Sequence, residues 1–159
     1  MKTISKVLSL IAAGVFLLSG CGNEGASGGE IMTAKEFKTA MEEKGLSVTD
    51  QTDSAADSSY QQIYVAVDEE KYSFEYYFMR DPGAAENVFD YAKDNLTETY
   101  AEDESAKTEE HGSGDVKEYS VSASDYYCEL IQRENAVLYV TAYADYKDEA
   151  EAIIEELEY

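Results

Sequence analysis

Two side chains in this sequence have intrinsic nucleophilic or general-base chemistry of the right kind, and neither has company. His111 is the only imidazole among 159 residues. A catalytic histidine needs a nucleophile to deprotonate and a third group to orient it. His111 stands in the run Glu109-Glu110-His111-Gly112-Ser113-Gly114, which carries no such motif and reads as an acidic, solvated loop. Cys128 lies in an apolar strand pattern beside Tyr126 and Leu130, the setting of an inert core thiol. No G-x-S-x-G, H-E-x-x-H, P-loop or dinucleotide-binding fingerprint occurs. The 34 Asp and Glu residues are too many for any pair to single itself out as an acid/base couple. Asp50, Asp53 and Asp57 share a polar stretch, but their spacing is not that of a calcium-binding loop. Glu102-Asp103-Glu104 and Glu109-Glu110 would attract cations only loosely. No catalytic residue, metal site or cofactor is therefore expected, and an enzyme is the least supported class.

Tyrosine is the more informative excess, with 14 copies and no Trp. Most fall in strand-like runs, where Tyr packs well. Tyr76 and Tyr77 are adjacent, as are Tyr126 and Tyr127, and neighbours on a strand point to opposite faces. One of each pair should then lie on an open sheet face, where a large apolar ring with a polar tip serves recognition. Tyr77 and Tyr127 are the expected partner- or ligand-binding residues.

A third reactive group, Cys21, is placed by what precedes it. Lys2 and Lys6 are followed by an apolar run from Val7 to Leu18. Such a run is too short to span a membrane comfortably, which takes about 20 apolar residues, and it reads as an export signal. It ends in Leu18-Ser19-Gly20-Cys21, an aliphatic residue, two small ones and a Cys. This resembles the lipobox of bacterial lipoproteins. The resemblance implies a signal peptide over 1–20, cleavage before Cys21, a diacylglyceryl group on its sulfur and an acyl group on its new amino terminus. Two or more chains hold a protein stably on a bilayer, where one does so only reversibly. The implied location is the extracytoplasmic face of a cell membrane. The loss of Lys2 and Lys6 would take the formal charge from −22 to −24.

That charge limits the partners. A chain with 12 basic and 34 acidic residues is repelled by phosphate backbones, which excludes nucleic acid, and by anionic headgroups, which leaves the lipid as the membrane contact. Apolar residues at 44% and aromatic residues at 12% exclude a wholly disordered chain. The length suits one domain and not two. Gly22 to Glu30, rich in Gly and Ser, reads as a flexible tether. The expected division is 1–20 signal, 21–31 lipidated Cys and tether, and 32–159 a single domain.

Three helices are signposted. Thr33-Ala34-Lys35-Glu36 has capping-box spacing, Ala34, Phe37, Ala40 and Met41 share a face, and Lys44-Gly45 marks a stop. Asp81-Pro82 opens a second helix with Ala85, Val88, Phe89, Ala92 and Leu96 inward. Ala150, Ile153, Ile154 and Leu157 define a third, capped near Asp145, with a solvated acidic stripe. Strand patterns cover Leu46 to Thr49, Ile63 to Val67, Tyr72 to Met79, Glu118 to Ala123, Tyr126 to Gln132 and Val137 to Ala144. The last two form a hairpin around Arg133-Glu134-Asn135. Asp50 to Ser59 and Glu102 to Gly114 read as unstructured. The order α-βββ-α-βββ-α predicts an α+β fold, an antiparallel sheet packed by helices on one side, as a doubled α-βββ unit with a closing C-terminal helix. Its helices and turns also resemble small uncharacterised lipoproteins of Gram-positive bacteria, a resemblance that implies a location and no site. Two functions follow as expectations. One is a lipid-anchored binding or interaction module for a protein or small ligand. The other is an inhibitor or regulator of an extracellular enzyme, by a likeness of architecture to the β-lactamase inhibitory proteins.

Overall fold

The computed structural model describes residues 31–55 and 57–159. The expected signal peptide, Cys21 and nearly all of the expected tether lie outside the described residues.

Local chemistry sets the helix ends. In α1 (Ala34–Glu43), the Glu36 N–H donates to the Thr33 hydroxyl at 3.3 Å and the Thr33 N–H to the Glu36 carboxylate at 2.8 Å. The bonds from Thr33 hold the Glu36 carboxyl below its ordinary value. Lys44 caps the other end, and Gly45 takes φ +84°, a conformation cheap only for glycine. The Leu46 N–H then returns to the Met41 carbonyl at 3.1 Å and the Gly45 N–H to Glu42 at 3.0 Å, a Schellman closure. α2 (Pro82–Thr99) starts on Asp81, whose carboxylate accepts the Ala84 N–H at 2.9 Å. α3 (Lys147–Glu156) follows a 3₁₀ turn over Ala144–Tyr146. The N-cap position falls on Tyr146, the neighbour of Asp145, with no side-chain cap bond, and Asp145 itself lies inside the turn.

The strands are β1 (Ser47–Asp50), β2 (Tyr60–Asp68), β3 (Tyr72–Met79), β4 (Lys107–Ser113), β5 (Val116–Ser122), β6 (Tyr126–Arg133) and β7 (Ala136–Tyr143). They form one antiparallel sheet in the order β1-β2-β3-β7-β6-β5-β4. The α+β class and the antiparallel sheet agree with the sequence. Three details do not.

The first is the coverage of the sheet. Tyr72, Phe74 and Tyr76 pair across to Ala142, Val140 and Leu138, and this face packs under α1 and α3. The Phe37 ring stacks on Tyr76 at 4.9 Å between centroids. Tyr77, Val137, Tyr139, Leu130 and Cys128 face the other way, beneath Ala85, Phe89, Ala92 and Leu96 of α2. Helices therefore cover both sides, and β3 and β7 are buried on both.

The second is the doubled unit. The second half has four strands, not three. A twofold axis relating the adjacent antiparallel strands β3 and β7 would run along the sheet normal and preserve faces, yet α1 and α2 lie on opposite faces. The halves are not copies.

The third is β4, in a segment expected to lack structure. Every one of its side chains is exposed, so it has no apolar alternation, but its backbone pairs with β5 from Lys107↔Ser122 to Ser113↔Val116. The hairpin closes through Gly114 at φ +64° and Asp115, a two-residue turn of the kind that favours Gly. In the other polar stretch, a 3₁₀ turn at Thr52–Ser54 lets the Thr52 hydroxyl accept the Ile63 N–H at 3.0 Å.

Candidate functional site

Tyr77 and Tyr127 do not meet solvent. Tyr77 is 1% exposed and Tyr127 3%, on opposite faces of the sheet. The open face expected for them is occupied by α2 over Tyr77 and closed near α3 over Tyr127. Each phenol instead serves a carboxylate two residues away on its own strand. The Tyr77 hydroxyl donates to Glu75, itself 7% exposed, and the Tyr127 hydroxyl donates to Glu129 at 2.6 Å. Burial pushes both phenols well above the ordinary value, so both keep their protons. The ammonium of Lys147 sits 5.1 Å from the centroid of the Tyr127 ring.

The polar part of the sheet lies at its other end. Facing the α3 side, β4 contributes Lys107, Glu109 and His111, and β5 contributes Ser122, Ser120 and Glu118, each opposite its counterpart. Next to Ser120 comes Glu129 on β6. The β4 residues of this face are exposed, and those of β5 and Glu129 are half-buried. Desolvation raises the Glu129 carboxyl first, with Glu151 and Glu118 adding to it, while the Tyr127 hydrogen bond and Lys147 pull it down. His111 lies 3.8 Å from Glu109, its imidazole 69% exposed, on a strand and not in a loop. With Lys107, Glu109, His111 and Glu118 on it, this corner is a charged surface.

The opposite side of the same strands is tied to α2. Lys93 reaches Glu110 at 2.6 Å, Lys117 reaches Glu86 at 2.5 Å, and the Thr97 and Tyr119 hydroxyls meet at 2.9 Å. Most basic side chains are committed in this way. Lys71 pairs with Glu149 at 2.9 Å, Lys147 with Glu151 at 3.1 Å, Lys44 with Glu156 and Lys38 with Glu42. The acidic stripe of α3 is exposed at Glu149, Glu155 and Glu156, as its spacing predicts.

The remaining candidates form turns or core. Asp50 accepts the Thr52 N–H at 2.9 Å, Asp57 the Ser59 N–H at 2.8 Å, and Asp103 the Ser105 N–H at 2.8 Å. Each closes its own loop. Cys128 is buried, and desolvation raises its thiol, which makes it a poor nucleophile. Among the described residues, no three His, Cys, Asp or Glu side chains gather as a metal ion would need. Cys21 lies outside the described residues. The sequence expectations passed over Glu75 and Glu129, although each is the one carboxylate of its strand and sits between apolar or aromatic neighbours, Phe74 and Tyr76 for the first, Cys128 and Leu130 for the second. That incongruity was the available signal.

Among the described residues, no helix is long and apolar enough to cross a membrane. No protein-family model matches the chain, and no curated protein matches it.

Proposed function

We propose that this chain is a lipid-anchored binding module on the extracytoplasmic face of a cell membrane. The observation that carries the reading is the sequence Leu18-Ser19-Gly20-Cys21 at the end of a basic and apolar leader, followed by a Gly/Ser-rich stretch. The contact surface that best suits a binding role is the polar corner of β4 and β5, since Tyr77 and Tyr127 are enclosed. The domain hangs from Cys21 by a tether, and its acid-rich surface opposes close apposition to anionic headgroups.

Expression of the full chain in a bacterium fed an alkyne fatty acid tests the anchor. The wild-type protein should carry the label, lack residues 1–20 and partition into detergent. Cys21→Ala should abolish all three. A wild-type protein that remains unlabelled and water-soluble would overturn the reading. Crosslinking in the same cells distinguishes the binding role, for which a specific co-purified species is expected. A tight one-to-one complex with a secreted hydrolase would turn the reading toward an inhibitor.

A further inference from the structure

We propose that the α2 side of the sheet holds a binding site for a small primary amine with an apolar body, its ammonium group set against Glu75. The site is separate from the polar corner of β4 and β5. The proposal deepens the binding-module reading by naming a ligand class, and rests on it for the presence of a ligand, though not on the lipid.

The register of five strands brings Thr49, Val65, Glu75, Tyr139 and Leu130 into one row on this side. The next row runs from Ser47 to Cys128 through Val67, Ser73 and Thr141. Glu75 is the one carboxylate of the two rows, and neither holds a basic residue. Burial raises the Tyr139 phenol and the Cys128 thiol above their ordinary values, so both stay neutral. The two rows therefore carry a single charge, and it is negative. The Tyr77 hydroxyl donates to that carboxylate and fixes its position.

The surroundings form a floor and two flanks. Ser73, Glu75 and Thr141 are buried and make the floor. Val65 and Val67 on β2 are half-buried and, among the described residues, belong to neither hydrophobic cluster. Beyond Thr141 the half-buried rings of Tyr126 and Tyr143 stack at 5.4 Å. A polar floor thus lies between an aliphatic flank and an aromatic one. That arrangement selects its ligand. A carboxylate in low-dielectric surroundings attracts a cation more strongly than one in water, and repels an anion by the same measure. A metal ion is poorly served, because among the described residues no three His, Cys, Asp or Glu side chains gather. A primary ammonium has three donors, and the Glu75 carboxylate with the Ser73 and Thr141 hydroxyls supplies acceptors for them. The valines and the tyrosine rings suit an apolar body attached to that ammonium.

The test titrates the full chain in mild detergent with phenethylamine, followed by calorimetry and by the NMR signals of the valine methyl groups. Saturable binding is expected, with shifts at Val65 and Val67. The alcohol 2-phenylethanol has the same body without the charge and should bind roughly tenfold more weakly, a loss of about 1.4 kcal/mol. Val67→Lys places a cation beside Glu75 from a half-buried position and should abolish amine binding, with an unchanged circular dichroism spectrum certifying the fold. Glu75→Gln should bind amine and alcohol equally wherever it folds. Equal binding of the two by the wild-type chain would overturn the proposal. So would full binding by Val67→Lys, or no saturable binding at all. Shifts confined to residues of β4 and β5 would mean plain attraction to an acidic surface, and would also overturn it. Acyl labelling of Cys21 is indifferent to all of these results, so the two readings fail separately.

Discussion

The middle of the sheet and its β4 end are built from the same kind of hydrogen-bonded ladder, yet they answer to different constraints. β3 and β7 have a helix above and a helix below, and nearly every residue in them is buried. Among the described residues, β4 is tied to α2 by the Lys93–Glu110 ion pair on one side and has no helix packed on the other, and none of its residues is buried. In the middle, side-chain identity is fixed by packing. At the end, backbone pairing alone holds the strand, and side chains are free to serve something other than the fold. The aromatic residues that suggest a recognition surface lie in the first region, where they are enclosed. The structure leaves the second region open.

The contrast can be broken most severely at Leu138, fully buried on β7 against Tyr76 and Ile131. Leu138→Ala should cost about 2–5 kcal/mol in urea denaturation. It should leave the β4–β5 backbone pairing, read by amide exchange, unchanged wherever the variant remains folded. A loss below about 1 kcal/mol would mean the centre is not close-packed, since even one buried methylene is worth roughly that much.

The two Tyr–carboxylate pairs sharpen the contrast at intermediate size. Tyr77→Phe removes the donor to Glu75 in a dry environment and should destabilise by about 1–3 kcal/mol. Tyr127→Phe should cost less, because Glu129 is half-buried and water can replace the lost donor. Chemical denaturation of both variants side by side checks the ranking, and a reversed order would contradict the burial gradient.

Glu129 gives the smallest effect and a defined sign. Burial, Glu151 and Glu118 raise its carboxyl in the folded state above the ordinary 4.5. The folded chain therefore holds this proton more tightly than the unfolded chain. The associated stability is fully present below pH 4.5 and is lost as the pH rises through the raised value. Glu129→Gln keeps an acceptor for Tyr127 and removes the ionisation. The variant should melt higher than wild type at pH 7, with the difference fading toward pH 4. A difference that grows on acidification would reverse the assignment.

What could be read from the sequence was local. The Thr33 capping box, the Gly45 stop, the Asp81-Pro82 start and the spacing of Ala150, Ile153, Ile154 and Leu157 each depend on neighbours within a turn or two. All four are where their chemistry puts them. β3 was legible through its alternation, but its second face was not. Ser73 and Glu75 beside Tyr77 look like a wet surface, and only the three-dimensional position of α2 reveals that Glu75 and Tyr77 satisfy each other in the interior. β4 was illegible for the opposite reason. Its pairing is a property of backbone, and Lys-Thr-Glu-Glu-His-Gly-Ser carries no hydrophobic period to announce it. The site followed the same rule, since neither an unpaired edge nor the side of the sheet left uncovered is encoded within a short window.

The strand order also dictates a schedule. β1, β2 and β3 are consecutive and can zip together as soon as they exist, but the far edge of β3 is answered only by β7, where Tyr72 waits for Ala142 and Phe78 for Ala136. Nearly the whole domain must be present before the central seam closes. A chain emerging from its amino-terminal end therefore displays an aromatic edge, Tyr72, Phe74, Tyr76 and Phe78, for most of its own synthesis or translocation. Long-range closure of this kind slows folding and leaves the intermediate prone to pairing with its neighbours. Closure of the central seam thus waits for one late hairpin, β6–β7.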